Sequence, residues 1–238
     1  MIKVRNIKKK YGDHVALKDF SCDLQPGICG LLGHNGAGKS TLMKILCDQI
    51  LRDGGEILVD EDKDILTLGE AYRASLGYVP QMQGVYENMT GYRFLMYIAS
   101  IKKIPVQEAR QEIEFLLDLF HLTRDKDRKL KTYSGGMKQR IMLSQAFLGK
   151  PKYLILDEPT VGLDPGEQQA LCQYLREYNK EAVILWSTHI VREIEAIADM
   201  IYIMKQGELV ISGTVEDVLK KTGTECLSDA YTFCMEGV

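Results

Sequence analysis

The residues best equipped for chemistry lie between positions 33 and 41. Gly33-His34-Asn35-Gly36-Ala37-Gly38-Lys39-Ser40 matches the pattern G-x-x-x-x-G-K-[ST], and Thr41 follows it. Glycines at these positions let successive backbone N–H groups turn inward around phosphate oxygens. A lysine on the loop reaches the β- and γ-phosphates as a point charge, and the serine hydroxyl can bind Mg²⁺. The pattern needs a strand before it and a helix after it, so that the helix N-terminus adds N–H donors and partial positive charge. The alternative is a glycine-rich turn that merely joins strand to helix. Ile28 to Leu32 before the loop and the periodic Leu42, Ile45 and Leu46 after it supply the required context, so the sequence predicts a nucleotide site.

Two further constellations fit that chemistry. Tyr153-Leu-Ile-Leu-Asp157-Glu158-Pro159 is an apolar stretch ending in two carboxylates. Asp157 at the end of a buried strand suits Mg²⁺, directly or through water. Glu158 is placed to accept a proton from an attacking water. The bland alternative is a surface acidic pair. Tyr133-Ser134-Gly135-Gly136-Met137-Lys138-Gln139-Arg140 precedes a helical pattern from Gln139 to Leu148. Ser134 is a capping residue, and the two glycines expose backbone N–H groups, which makes a second anion-binding helix end. Taken alone, it would be an ordinary cap.

The elements that must hold these residues follow from periodicity. Ile2, Val4 and Asn6 alternate with Lys3, Arg5 and Ile7, and Val15–Leu24 looks similar, which predicts two half-buried strands, with a turn at Gln25-Pro26-Gly27. Ile28–Leu32 reads as a buried parallel strand, Ser40–Ile50 as a helix, and Glu56–Val59 and Leu76–Pro80 as strands. From about Met82 to Lys150 the texture is helical, with Ile113, Leu116, Leu117 and Phe120 on one face and a polar, mixed-charge loop over Arg124–Lys131. Strand and helix then alternate: strand Tyr153–Leu156, helix Glu167–Lys180, strand Ala182–Trp186, helix Val191–Ala198. A hairpin across Lys205-Gln206-Gly207 and a capping box at Thr214-Val-Glu-Asp217 close the pattern. Residues from Thr222 on carry no readable chemistry. The fold class is α/β with a mainly parallel sheet and an inserted helical part.

Composition bounds the function. The 238 residues carry 30 Lys and Arg against 33 Asp and Glu, a formal charge of −3. A general nucleic-acid coat needs a basic excess, so no nucleic-acid partner is expected. No apolar run approaches the roughly 18–20 residues that span a bilayer, and the N-terminus lacks a signal-peptide core, so the chain is expected in the cytoplasm. The six cysteines form no CxxC pair and read as small, mostly buried thiols.

Together, the motifs resemble those of the nucleotide-binding subunits of ATP-binding-cassette (ABC) transporters, over roughly residues 2 to 221. Tyr11 resembles the aromatic that stacks on adenine. Gly33 to Thr41 resembles the Walker A loop, Gln81 the Q-loop glutamine, and Ser134-Gly135-Gly136 the core of the signature. Asp157 and Glu158 resemble the Walker B pair, Val161-Gly162-Leu163-Asp164 the D-loop, and His189 in Ser-Thr-His the switch histidine. Two positions depart from the commonest signature: Tyr133 stands for Leu and Met137 for Gln. Met137 cannot donate a hydrogen bond from its side chain. The motif form is similar to that of bacterial exporters of drugs, peptides or antibiotics.

The resemblance implies a P-loop NTPase core at 1–81 and 150–221, with a small antiparallel β part near the N-terminus. It implies an inserted helical subdomain at 82–149 and a short tail at 222–238. It implies a Mg²⁺-dependent ATPase whose catalytic residues are Glu158, His189, Gln81 and Lys39, with Ser40, Gln81 and Asp157 toward the metal. Ser134 through Met137 would act on the ATP of a second subunit, with Asp164 at the dimer contact. A homodimer or heterodimer would work with integral membrane subunits at the cytoplasmic face of the membrane. By its residues alone the segment Val85-Tyr86-Glu87-Asn88-Met89 suits equally packing on the inserted helices or docking a helix of a membrane partner; the resemblance favours docking, with a hinge near Gln83-Gly84. Three rivals share parts of the pattern. A chromosome or DNA-repair ATPase needs a long coiled coil between Lys39 and Ser134, and no sustained heptads occur there. A translation-associated relative usually carries two cassettes. A nucleotide-gated module without turnover would not need Glu158 and His189.

Overall fold

The computed structural model describes residues 1–60, 62–81, 84, 86–178 and 180–236. Along the chain run β1 (Ile2–Tyr11), β2 (His14–Leu24), β3 (Gly27–Leu32), α1 (Lys39–Leu46), β4 (Gly54–Val59), β5 (Lys63–Asp64), α2 (Ile65–Leu68), α3 (Glu70–Ala74) and β6 (Leu76–Val79). Then come α4 (Gly91–Ile101), α5 (Val106–Leu119), α6 (Gly135–Phe147), β7 (Tyr153–Asp157), α7 (Pro165–Glu177), β8 (Val183–Thr188), α8 (Val191–Glu195), β9 (Met200–Lys205), β10 (Glu208–Gly213), α9 (Val215–Thr222) and α10 (Leu227–Glu236). Two compact units result: Met1–Arg73 with Lys180–Val238, and Ala74–Asn179.

In the first unit, β2, β1, β4 and β5 form an antiparallel sheet in that order. Ile2, Val4 and Ile7 of β1 are fully buried and Asn6 is exposed, so the expected alternation holds only to Val4, and its phase shifts before Ile7. The bulge between Val4 and Ile7 lets Asn6 take a left-handed turn at φ 51°. A second set of strands runs β10-β9-β3-β8. Here β3 is parallel to β8 with Leu32 opposite Thr188, and parallel to β9 with Leu32 opposite Ile203. Both β3 and β8 are buried along their lengths, which is why they read as continuous apolar runs rather than alternating ones. The β9–β10 hairpin turns at Gln206 and Gly207, both with positive φ, as its sequence predicts. Thr214 and Asp217 exchange both bonds of a capping box ahead of α9.

In the second unit, β6 is parallel to β7, with Val79 opposite Leu156. Helices α4 to α7 surround an apolar core that includes Phe94, Leu95, Ile113, Leu116, Leu117, Phe120, Ile141 and Phe147. The stripe expected on α5 is the buried one.

Several local expectations change. Helix α1 stops at Leu46 rather than Ile50, because Asp48 turns to φ 54°. Helix α6 starts at Gly135, one turn before the apolar periodicity, because Ser134 caps it. The 124–131 stretch is solvated as expected, with Arg124, Asp127, Arg128, Lys129 and Lys131 exposed, but it is more ordered than a loop. It holds two 3-10 turns, Thr123–Asp125 and Leu130–Thr132, and Leu130 is fully buried. Its backbone is stitched to the preceding segment by Tyr92 N to Lys126 O, Leu130 N to Met89 O and Lys131 N to Glu87 O, at 2.8–3.0 Å. The tail contains α10, whose Leu227, Ala230 and Cys234 are buried. Cys22, Cys29 and Cys47 are buried too, and burial pushes the Cys29 thiol up to about 12.

Candidate functional site

The phosphate-loop residues of the first unit leave β3 at Gly33. Ala37 N donates to His34 O at 3.1 Å and Gly207 N donates to Ala37 O at 2.8 Å, so the loop is tied to itself and to the β9–β10 turn. His34, Asn35 and Gly36 are exposed, and Ser40 and Thr41 are half-buried on the first turn of α1. Gly38 has φ 107°, and a Cβ there would lie 2.6 Å from Ala16 O, so only glycine fits. Lys39 is 6% exposed. Its Nζ donates to Gly33 O at 2.6 Å and His34 O at 3.2 Å, inside the curve of the loop. The ammonium is thus aimed at the loop interior.

His189 follows Thr188, the last residue of β8, and is exposed. Because Leu32 and Thr188 are register partners on parallel strands, Gly33 and His189 leave the sheet at the same end. Tyr11 ends β1 and is 47% exposed. The Lys9 ammonium sits 5.5 Å from the ring centroid and also pairs with Asp53 at 2.8 Å.

In the second unit, Asp157 ends β7 and is 2% exposed. Glu158 follows at φ 50° and is half-buried. A hard carboxylate oxygen at a strand end suits Mg²⁺, so the donor type fits the expected ion. Among the described residues, no three His, Cys, Asp or Glu side chains form a metal cage. An ion that keeps its waters and phosphate oxygens needs only one or two protein oxygens. Gln81 lies two residues beyond β6 and is exposed.

Ser134 caps α6 by accepting from Met137 N at 3.2 Å. Gly135 is exposed, while Gly136 and Met137 are half-buried. A Cβ on Gly136 would lie 2.4 Å from Gly162 O, so the signature and the D-loop touch backbone to backbone. Asp164 caps α7 through a reciprocal box with Glu167, and Glu167 in turn pairs with Arg140 of α6 at 2.8 Å. Gln139 is buried and its Nε2 donates to Pro159 O at 2.9 Å.

The structure therefore gathers the phosphate loop with His189 in one unit. In the other, it gathers the signature with the D-loop and with the turn after Glu158. Gln139 and Glu167 were not singled out from the sequence. The Asp164-x-x-Glu167 box carried a readable signal, whereas Gln139 carried none.

The segment expected to meet a partner has Tyr86 56% exposed, with its ring 5.5 Å from Tyr97 and 6.2 Å from Phe94. Met89 is half-buried. Gln83 and Val85 lie outside the described residues. Among the described residues, no helix is long and apolar enough to cross a membrane.

A family model described as ABC transporter matches residues 17–161. The chain belongs to the ABC transporter family. Linearmycin resistance ATP-binding protein LnrL of Bacillus subtilis (strain 168) is 33% identical over 229 residues, covering 95% of this chain and 73% of that protein. Lipopolysaccharide export system ATP-binding protein LptB of Escherichia coli (strain K12) is 32% identical over 222 residues, covering 91% of each. A solved structure described as the ATP-binding subunit of an ABC transporter superposes with a TM-score of 0.91 at 29% identity, over 98% of this chain and 99% of that one. This ABC protein is an ATP-binding subunit with the mixed α/β fold of its relatives, combining parallel strands with an antiparallel β part.

Proposed function

We propose that this subunit hydrolyses ATP with Mg²⁺ and that the work drives export through separate membrane subunits. The observation that carries the reading is the register of Leu32 with Thr188, which sends a phosphate loop and a histidine out of the same sheet end. When bound, Mg²⁺ neutralises phosphate charge. Ser40 and Asp157 would hold it, with Gln81 as a further oxygen donor. Lys39 exchanges its carbonyl partners Gly33 and His34 for phosphate oxygens, at little reorganisation cost because the ammonium already occupies the loop. Glu158 takes the proton of the attacking water, and His189 donates to the γ-phosphate as charge moves onto it. Tyr11 stacks on the adenine.

The glycine N–H groups of Gly135 and Gly136 and the capped N-terminus of α6 suit the phosphate of a second subunit. The Met137 N–H serves Ser134, so the loss of glutamine at this position leaves the helix cap intact. Two such subunits, identical or not, then share two ATP molecules with Asp164 at their contact. The exposed Tyr86 and its neighbour Met89 face the membrane partner, at the cytoplasmic side of the membrane. Export is favoured because two of its relatives carry export or resistance names.

The test is Glu158→Gln, which keeps shape and removes basicity. Phosphate release should fall on the order of 10²–10⁴-fold, while ATP still binds. The variant should run as a dimer with ATP and a monomer without it, by light scattering. Wild-type phosphate release from the variant would falsify the role of Glu158.

A further inference from the structure

Thr188 is 2% exposed. Its hydroxyl donates to Glu193 Oε2 at 2.7 Å and accepts from Ile190 N at 3.0 Å. Glu193 N donates to Ile190 O at 3.1 Å. These three bonds close a ring through residues 188, 190 and 193, and the bond between Thr188 and Ile190 spans His189. His189 is exposed, so burial does not restrain it. Its backbone direction depends on its two neighbours, and both belong to the ring. Helix α8 has five residues, too few to hold its shape alone. It is anchored by the fully buried Ile194 and by Glu195, whose Oε1 accepts from Leu227 N at 3.3 Å at the start of α10. Glu193 therefore links an anchored helix to the residue before the histidine.

We propose that Glu193, acting through the Thr188 hydroxyl, is a positioning residue that aims His189. The proposal rests on the reading of His189 as a donor to the γ-phosphate. Glu193 touches no reacting atom in this account. It limits the swing of His189, and a misplacement of about 1 Å at such a group can cost up to about a hundredfold in rate. An ordinary turn would show the same hydrogen bonds, but its loss would not act through the histidine.

The experiment measures steady-state ATP turnover, ATP affinity and melting temperature of the full chain for Glu193→Ala, Glu193→Gln, Thr188→Val, Thr188→Ser, His189→Ala and the double variant His189→Ala with Glu193→Ala. Glu193→Ala and Thr188→Val should each lower kcat by about tenfold to a hundredfold, with ATP affinity close to wild type. Glu193→Gln keeps an acceptor for the hydroxyl and Thr188→Ser restores the donor, so both should recover most of the rate. Glu193→Ala should add nothing in the His189→Ala background. Should Glu193→Ala fail to fold, Thr188→Val removes the same bond at nearly the same shape. Wild-type turnover in Glu193→Ala or Thr188→Val, with His189→Ala strongly impaired, overturns the positioning role alone. So does an equal further loss in the His189→Ala background. Wild-type turnover in His189→Ala instead overturns the reading of the histidine, and the proposal with it.

Discussion

Gln139, buried on the signature helix, donates its Nε2 hydrogen to the carbonyl of Pro159, the residue after Glu158, at 2.9 Å. Twenty positions apart in sequence, the two residues join the helix that starts at Ser134 to the turn that leaves β7. Any movement of α6 is thereby felt one residue from the proposed general base.

That bond has a measurable cost when broken. Gln139→Leu fills a similar volume but leaves a buried carbonyl without this donor. The variant should lose about 1–3 kcal/mol of stability, read as a lower midpoint in guanidinium and a melting temperature several degrees down. Turnover should fall further than ATP affinity. Unchanged stability would mean that the carbonyl finds another donor at no cost.

Gly38 and Gly36 make a controlled pair. Both have positive φ, 107° and 86°. A Cβ on Gly38 would meet Ala16 O at 2.6 Å and Met204 Cε at 2.7 Å, whereas one on Gly36 would meet nothing within 4 Å. Gly38→Ala should therefore abolish ATP binding and destabilise the fold. Gly36→Ala should cost only backbone strain, about 1–2 kcal/mol. Calorimetric titration with ATP and thermal melting separate the two, and equal behaviour would show that φ, not space, decides.

Tyr11 presents an exposed ring with the Lys9 ammonium beside it. Stacking uses the ring and not the hydroxyl. Tyr11→Phe should bind ATP as wild type does, and Tyr11→Ala should weaken binding by about 1–3 kcal/mol, the worth of one stacked base. GTP should lose as much as ATP, since every base has a stacking face. Equal affinities for all three proteins would place the base elsewhere.

Lys102, at the end of α4, gives a pH signature. Burial, opposed by the nearby Glu112 carboxylate, pushes its ammonium down to about 8, and its Nζ donates to Leu148 O at 2.6 Å. The folded value lies below the ordinary 10.5, so between these limits the unfolded chain binds more protons, and stability rises with pH. Compared with Lys102→Met, the wild type should gain on the order of 1–3 kcal/mol as pH climbs from about 8 to about 10. Denaturation curves of the two proteins at each pH test this. A constant difference between them would mean that the lysine ionises as it does in water.

What the sequence determined by itself is whatever depends on neighbours in the chain. The phosphate loop between β3 and α1, the hairpin at Gln206-Gly207 and the capping box of Thr214 and Asp217 are all of this kind. Each rests on backbone conformations and hydrogen bonds within a few residues, so residue type and spacing carry the information. Helix α10 is an intermediate case. Leu227, Ala230 and Cys234 have helical spacing, but Tyr231, Phe233 and Met235 among them blur the stripe until α8, α9 and β9 give one face something to pack on.

Tertiary structure alone decided the rest. The 124–131 stretch reads as solvated because it is charged, yet its backbone pairs with residues 87–92 and Leu130 is buried. Nothing local in the sequence marks Gln139 as a partner of Pro159, or Gly136 as the residue that must let Gly162 pass. The Leu32–Thr188 register sends the phosphate loop and His189 out of the same sheet end, yet it joins residues 156 positions apart. Such pairings are chosen by which strands exclude water from one another, and that free energy belongs to the folded chain as a whole, with no trace in the short-range pattern of either partner.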